Sequence, residues 1–212
     1  SRVMQSVEDE AYKLGYHVLI SNSSGRAEKE EAQIARFREF GVNGMIIASM
    51  SHKYYATPTI RKMQQQGFPF VMVSYIDDKD IPFVGSDHEQ GGYLATEYLV
   101  KQGYQRIGYI NGEKGNMVGE LRRKGYEHAL KEHGRRVDKR LQFHLRMRGE
   151  KHDYQSGYEI GSRFKSLAVK PDAVFVYNDL SALGFEDALL EIGLRIPADM
   201  AIVGFDDIER GE

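Results

Sequence analysis

The sequence predicts an α/β protein of doubly wound parallel sheets. Apolar runs of strand length alternate with segments of helical periodicity along nearly the whole chain. Glycines at 15, 41, 67, 103, 134 and 193 each close a helical segment a few residues before the next apolar run. A glycine placed just past a helix takes the left-handed conformation that other residues resist. Repeated strand–helix–strand alternation of this kind builds right-handed crossovers between parallel strands.

Taken in order, Val3, Val7, Ala11 and Leu14 share one helical face, and Gly15 stops that helix. Tyr16 to Ile20 reads as a strand, closed by the turn-forming cluster Ser21-Asn22-Ser23-Ser24-Gly25. Helix over 28–40, strand over 44–48, helix over 58–66 and strand over 70–75 follow. A short strand over 81–85 leads into a helix over 89–102 and a strand over 106–110. Helix over 119–133 precedes a polar, basic segment with one strand near 141–145. Helix over 154–167, strand over 173–177, helix over 181–192 and strand over 201–205 complete the pattern. No low-complexity linker interrupts it. The expected division is an N-terminal lobe over 1–102 and a C-terminal lobe over 103–212, joined near Gln102 to Arg106.

The most informative stretch is Asp172 to Gly184. Ala173 to Tyr177 is uncharged and rich in β-formers, as a strand buried on both faces should be. It runs into Asn178-Asp179, where Asp179 suits the N-cap of the following helix. Asn178 is then left at the carboxyl end of the strand with its side chain free for a ligand, since open α/β sheets bind ligands along that edge.

Composition excludes several classes. The 212 residues include no cysteine, which removes disulfides, thiol nucleophiles and cysteine zinc sites. A formal net charge of −2 marks no nucleic-acid or membrane face over the chain as a whole. No apolar run approaches membrane-spanning length, so the default expectation is a cytoplasmic protein with no membrane partner. Neither G-x-G-x-x-G nor a phosphate-binding G-x-x-x-x-G-K-[ST] loop occurs. The seven histidines form no H-E-x-x-H or H-x-x-x-H pair, and each reads as a surface or hydrogen-bonded residue rather than a metal ligand. No G-x-S-x-G elbow is present, so no catalytic constellation, metal or cofactor is expected. The cluster Arg135, Arg136, Lys139, Arg140, Arg146 and Arg148 reads as a solvated loop and edge strand, with no interleaved aromatics for nucleic acid.

What remains is polar residues at strand ends: Ser21-Asn22, Ser49, Ser74-Tyr75, Asp87, Asn111, Asn178 and Asp206. A few such groups above an apolar floor suit a small polar ligand such as a sugar. Asn22 and Asn111 read as turn and cap residues. Asn178 and Asp206 read as ligand contacts, because Asp179 and Asp207 stand beside them for capping.

These residues resemble the lactose/galactose repressor (LacI/GalR) family. The resemblance is carried by Val174-Phe-Val-Tyr-Asn178-Asp179-Leu-Ser-Ala182-Leu-Gly184 and by Gly193-Leu-Arg-Ile-Pro197-Ala-Asp199-Met-Ala-Ile-Val-Gly204-Phe-Asp206-Asp207. Val84-Gly-Ser-Asp87-His-Glu-Gln-Gly91-Gly92, Gly103-Tyr-Gln-Arg106-Ile-Gly-Tyr-Ile110, Arg122-Arg-Lys-Gly125-Tyr126 and Ser156-Gly157-Tyr158 follow the same family order. The resemblance implies a type I periplasmic-binding-protein-like fold of two lobes with a ligand cleft between them. It further implies the effector-binding and dimerisation core of a transcriptional regulator that responds to a small, sugar-like metabolite. Arg122 would grip ligand oxygens with its planar fork, and Asn178 and Asp206 would supply the other main polar contacts. Asp87 would contact ligand or shape the rim. His152 stands where the family often has a stacking aromatic, with Tyr154 close enough to compensate. Against the family pattern the sequence shows no helix-turn-helix headpiece, hinge helix or first strand, and it stops soon after Asp207. Operator DNA would therefore be reached only through a headpiece outside this chain. An extracytoplasmic sugar-binding protein of a transporter is the alternative, since it shares the fold and a Gly-Phe-Asp ending.

Overall fold

The computed structural model describes residues 2–49, 55–73, 75–146 and 153–208. The chain forms two compact units, Ser1–Gly85 and Ser86–Glu212. All six glycines expected to stop helices have positive φ, from +66° at Gly67 to +92° at Gly103.

The first unit contains α1 (Arg2–Lys13), α2 (Ala27–Glu39), β1 (Met45–Ile47), α3 (Pro58–Gln65), β2 (Phe70–Val73) and β3 (Phe83–Val84). Its strands form a parallel sheet in the order β1-β2-β3. Thr57 caps α3 by accepting from the Ile60 amide, and Pro58 occupies the first turn, where no amide hydrogen is needed. Ile34, Ile47, Ile60, Met63, Met72, Ile76 and Ile81 make the core between sheet and helices.

Tyr16 to Ile20 is not a strand. The segment pairs with no strand among the described residues, and Tyr16, Leu19 and Ile20 are each more than half exposed. High β-propensity describes fitness for a pleated, half-buried surface. Without a neighbour to supply the ladder, that fitness produces no strand.

The second unit contains α4 (His88–Lys101), β4 (Ile107–Asn111), α5 (Met117–Glu132), β5 (Gln142–His144), α6 (Asp153–Ser162), β6 (Ala173–Val176), α7 (Asp179–Glu191) and β7 (Ala201–Val203). Its parallel sheet has the order β5-β4-β6-β7. β4 and β6 are buried along their whole length, in line with their uncharged sequences. From β4 the chain winds first to β5 on one side, then back to β6 on the other. The gap between the carboxyl ends of β4 and β6 is thus the topological switch point, where open α/β sheets bind ligands.

The units part at Gly85/Ser86, not at Gln102/Gly103 as the strand pattern suggested. The reason lies in α4, which packs on α5 through glycines. A Cβ on Gly92 would overlap the Arg122 carbonyl, and one on Gly125 would overlap the Glu89 carbonyl. The same device joins α6 to α7, where Gly157 meets the Ser181 carbonyl and Gly184 meets the Tyr154 carbonyl. The helix expected to reach residue 167 ends at Ser162, and a 3₁₀ turn over Phe164–Ser166 follows it. That turn places the Phe164 ring in the core.

Candidate functional site

The site is built at the β4/β6 switch point around Arg122. This residue lies on α5, the helix that follows β4, and is only 5% exposed. Its Nη1 donates to the carbonyl of Tyr177, the residue just past β6. Its Nη2 lies 3.3 Å from Asp206 Oδ1 and 3.3 Å from His88 Nδ1. The Arg122 Cζ lies over the Phe205 ring, 3.5 Å from its centroid. A cation against an aromatic face gains attraction without a carboxylate. The Arg122 Nε is buried and has no hydrogen-bond partner among the described residues. Burial pulls the Arg122 pKa down and pushes that of Asp206 up, and in each case the partner's charge opposes the shift. Burial, followed by the nearby Arg122 charge, lowers His88 to about 4, so His88 is neutral near neutral pH.

Local sequence explains how Asp206 arrives here. Gly204 follows β7, and a Cβ there would overlap the Asp179 carboxylate. Asp179 then holds the loop from both ends. Its amide donates to the Phe205 carbonyl at 2.9 Å, and its Oδ2 accepts from the Ile208 amide at 3.0 Å. Between these anchors Asp206 and Asp207 take positive φ values of 108° and 53°. Non-glycine residues adopt such conformations where the surroundings over-determine them.

This corrects the sequence reading of Asn178 and Asp179. Asn178, not Asp179, caps α7, its Oδ1 accepting from the Ser181 amide at 3.0 Å. The Asn178 Nδ2 donates to Asp153 at 2.7 Å, and the Tyr177 hydroxyl donates to the same carboxylate at 2.8 Å. Asn178 is therefore buried and engaged at both ends of its amide. It stands beside the Arg122 group, because Tyr177 precedes it, but its side chain is occupied by structure.

Of the other expected residues, Asp87 caps α4 by accepting from the Gln90 amide at 2.9 Å. Tyr154 donates to Asp187 on α7 at 2.6 Å and makes no bond to the Arg122 group. His152 and Ser74 lie outside the described residues. Asn111 donates to Glu120 at 2.6 Å and Asn22 accepts from the Ser24 amide, both local structural roles. Arg122 and Asp206 are thus the pair that the fold brings together. Sequence reasoning missed His88, Phe205 and Asp153. His88 directly follows the cap residue of α4, and Phe205 directly precedes Asp206; only the packing of α4 on α5 shows that they meet.

The basic segment has its own depression of about 320 Å³, lined by Arg106, Arg135, Arg136 and Asp138 and far along β4 from the switch point. There Arg135 donates to the Tyr104 carbonyl and Arg140 pairs with Asp138. Among the described residues, no group of His, Asp or Glu is placed to hold a metal, and no helix is long and apolar enough to cross a membrane.

The second unit is thus a parallel doubly wound α/β domain with a buried arginine at its switch point, the edge at which open α/β sheets take their ligands. The chain belongs to the family described as periplasmic binding proteins and sugar binding domain of LacI family, whose profile matches residues 1–211. Among curated proteins it is similar to an HTH-type transcriptional repressor PurR of Haemophilus influenzae (strain PittEE). The two are 29% identical over 208 residues, covering 98% of this chain and 60% of that protein. This chain thus spans about three fifths of the length of such relatives. Among solved structures, a regulatory protein of LacI family from Chloroflexus aggregans superposes with a TM-score of 0.81 at 28% identity, covering 96% of this chain and 70% of that one. A LacI family transcriptional regulator from Lactobacillus casei, solved with bound glucose, gives 0.74 at 27% identity, covering 96% and 74%.

Proposed function

We propose that this chain is the effector-binding core of a ligand-responsive transcriptional regulator, and that its effector is a small, polar, sugar-like metabolite. The observation that carries the reading is the buried Arg122 with the half-exposed Asp206 carboxylate beside it at the switch point. A sugar presents adjacent hydroxyls that both donate and accept. Arg122 supplies donors and Asp206 an acceptor, so the pair can exchange its own contact for two contacts to a diol. The buried Nε of Arg122, without an acceptor among the described residues, adds a further reason for an oxygen-rich ligand. A ligand that meets both groups favours one conformation by its differential affinity, and that difference is what a regulator transmits. The relatives' repressor names and the glucose in one neighbour support this reading. Operator DNA binding through a headpiece outside this chain and a homodimer with two-fold symmetry belong to the same proposal. The family description also covers periplasmic binding proteins. A helix-turn-helix at the start of the gene supports the regulator, and a signal peptide there supports a transporter component.

The test is a thermal-shift screen with pentoses, hexoses, disaccharides, sugar phosphates and purines. A compound at about 100 times its Kd adds roughly 2.7 kcal/mol. For a chain of this size that raises Tm by roughly 5 to 11 °C. The shift should vanish in Arg122→Ala and Asp206→Ala. A shift that survives both substitutions would place the effector elsewhere, and silence across the panel would overturn the sugar-like effector.

A further inference from the structure

We infer that His88 is a positioning residue: as a neutral acceptor at the start of α4, it holds the Arg122 guanidinium in the orientation that faces an effector. The effector clause rests on the function proposed above; the contact itself does not.

Arginine has donors and no acceptor, so the 3.3 Å approach of Arg122 Nη2 to His88 Nδ1 is a hydrogen bond only if Nδ1 carries a lone pair. That requires the neutral imidazole with its proton on Nε2. A protonated His88 would instead set two cations 3.3 Å apart. The surroundings favour the neutral ring. Arg122 faces it from α5, and the Phe205 ring lies 6.1 Å away, centroid to centroid, from the loop after β7. Asp87, on its own element, is the charge that opposes neutrality. From the same loop as Phe205, the Asp206 carboxylate bonds to Arg122.

The three acceptors around Arg122 differ in what they can do. The Tyr177 carbonyl is backbone at the end of β6 and cannot leave. Asp206 is 42% exposed at its side chain and sits on a loop of positive φ, so it is the partner an effector can take over. His88 is fixed by helix packing, because Gly91 of α4 lies against Phe205 and Gly92 against the Arg122 carbonyl. When Asp206 turns to an effector, His88 and the Tyr177 carbonyl keep both terminal nitrogens of Arg122 aimed. A carboxylate at position 88 would compete with Asp206 for the cation, and a lysine would repel it. A neutral acceptor does neither.

The test is NMR on the chain without effector, using ¹⁵N-histidine and ¹⁵N-arginine labels, with signals assigned through His88→Asn and Arg122→Gln. His88 should show an unprotonated Nδ1 bonded to Arg122, and it should remain neutral at pH 5.5, where an ordinary histidine is mostly charged. Its titration should move upward in Arg122→Gln. The Arg122 guanidinium protons should exchange slowly in the parent chain and fast in His88→Ala. They should exchange slowly again in His88→Asn, whose amide oxygen can accept. A purely structural role would not give that rescue. Should His88→Ala fail to fold, the ring signals of the parent and the Asn variant still decide. A His88 that titrates with the surface histidines, or slow Arg122 exchange that is unchanged in His88→Ala, overturns the proposal. Neither result depends on an effector, so the proposal and the function above can fail separately.

Discussion

At the scale of single residues, the site is decided by how many partners each polar side chain already has. Asn178 and Arg122 are both buried at the switch point, yet they differ in availability. Both ends of the Asn178 amide are used, one by the α7 cap and one by Asp153. Replacing Asn178 with Ala removes a cap worth about 1 kcal/mol and leaves Asp153 short of a donor at a further cost of about 1–3 kcal/mol. The expected loss is about 2–4 kcal/mol in urea unfolding. Asn178→Asp keeps the cap but sets two carboxylates face to face, which raises the pKa of the pair in the folded state. Groups with raised folded carboxylate pKa lose stability as pH rises, so this variant should approach the parent in acid and fall behind it at neutral pH. A variant equally stable at both would show that Asp153 does not bond to the amide. The pairing of Asn178 with Asp153 was not legible in the sequence. The two lie on different elements, and an Asn beside an Asp offers two caps of nearly equal quality.

At the scale of elements, glycines set the geometry that makes the site. Gly92 and Gly125 let α4 and α5 meet backbone to backbone, and that contact carries His88 to Arg122. Intrinsic propensity favours alanine over glycine inside a helix by about 1 kcal/mol. Here the order should invert. A Cβ at position 92 meets the Arg122 carbonyl, which is backbone and cannot rotate away. Overpacking of this kind costs about 1–3 kcal/mol, so Gly92→Ala should lower stability, and Gly184→Ala should do the same between α6 and α7. A stabilised Gly92→Ala in thermal unfolding would mean that the helices are farther apart than described. The positive-φ glycines that end the helices were readable from the sequence, because their role is local. The helix-crossing glycines were not, since their role depends on which helix lies opposite. The failure of Tyr16 to Ile20 as a strand has the same cause: a strand exists only where another pairs with it.

At the scale of the molecule, the two units differ in their cores. The second has a continuous buried cluster running from Leu99 through β4 and β6 to Met200, including Tyr109, Tyr126, Phe175 and Phe185. The first has a small cluster of isoleucines and methionines, and it exposes Leu19, Ile20, Ile46 and Val84. Less apolar burial means lower local stability. In hydrogen exchange, the amides of β1 and β2 should therefore exchange well before those of β4 and β6. Equal protection would indicate one cooperative unit instead.

By itself the sequence determined the alternation of strands and helices, the helix stops and the α/β class, and its family motifs singled out Arg122, Asn178 and Asp206 as expected ligand contacts. These are properties of neighbouring residues or of ordered motifs, and they survive without coordinates. Tertiary structure alone decided the parting at Gly85, the capping role of Asn178, and the meeting of His88, Phe205 and Asp206 around one guanidinium. Each of these rests on contacts between elements distant in the chain. Such contacts follow from which helix packs on which, and local periodicity does not encode that choice.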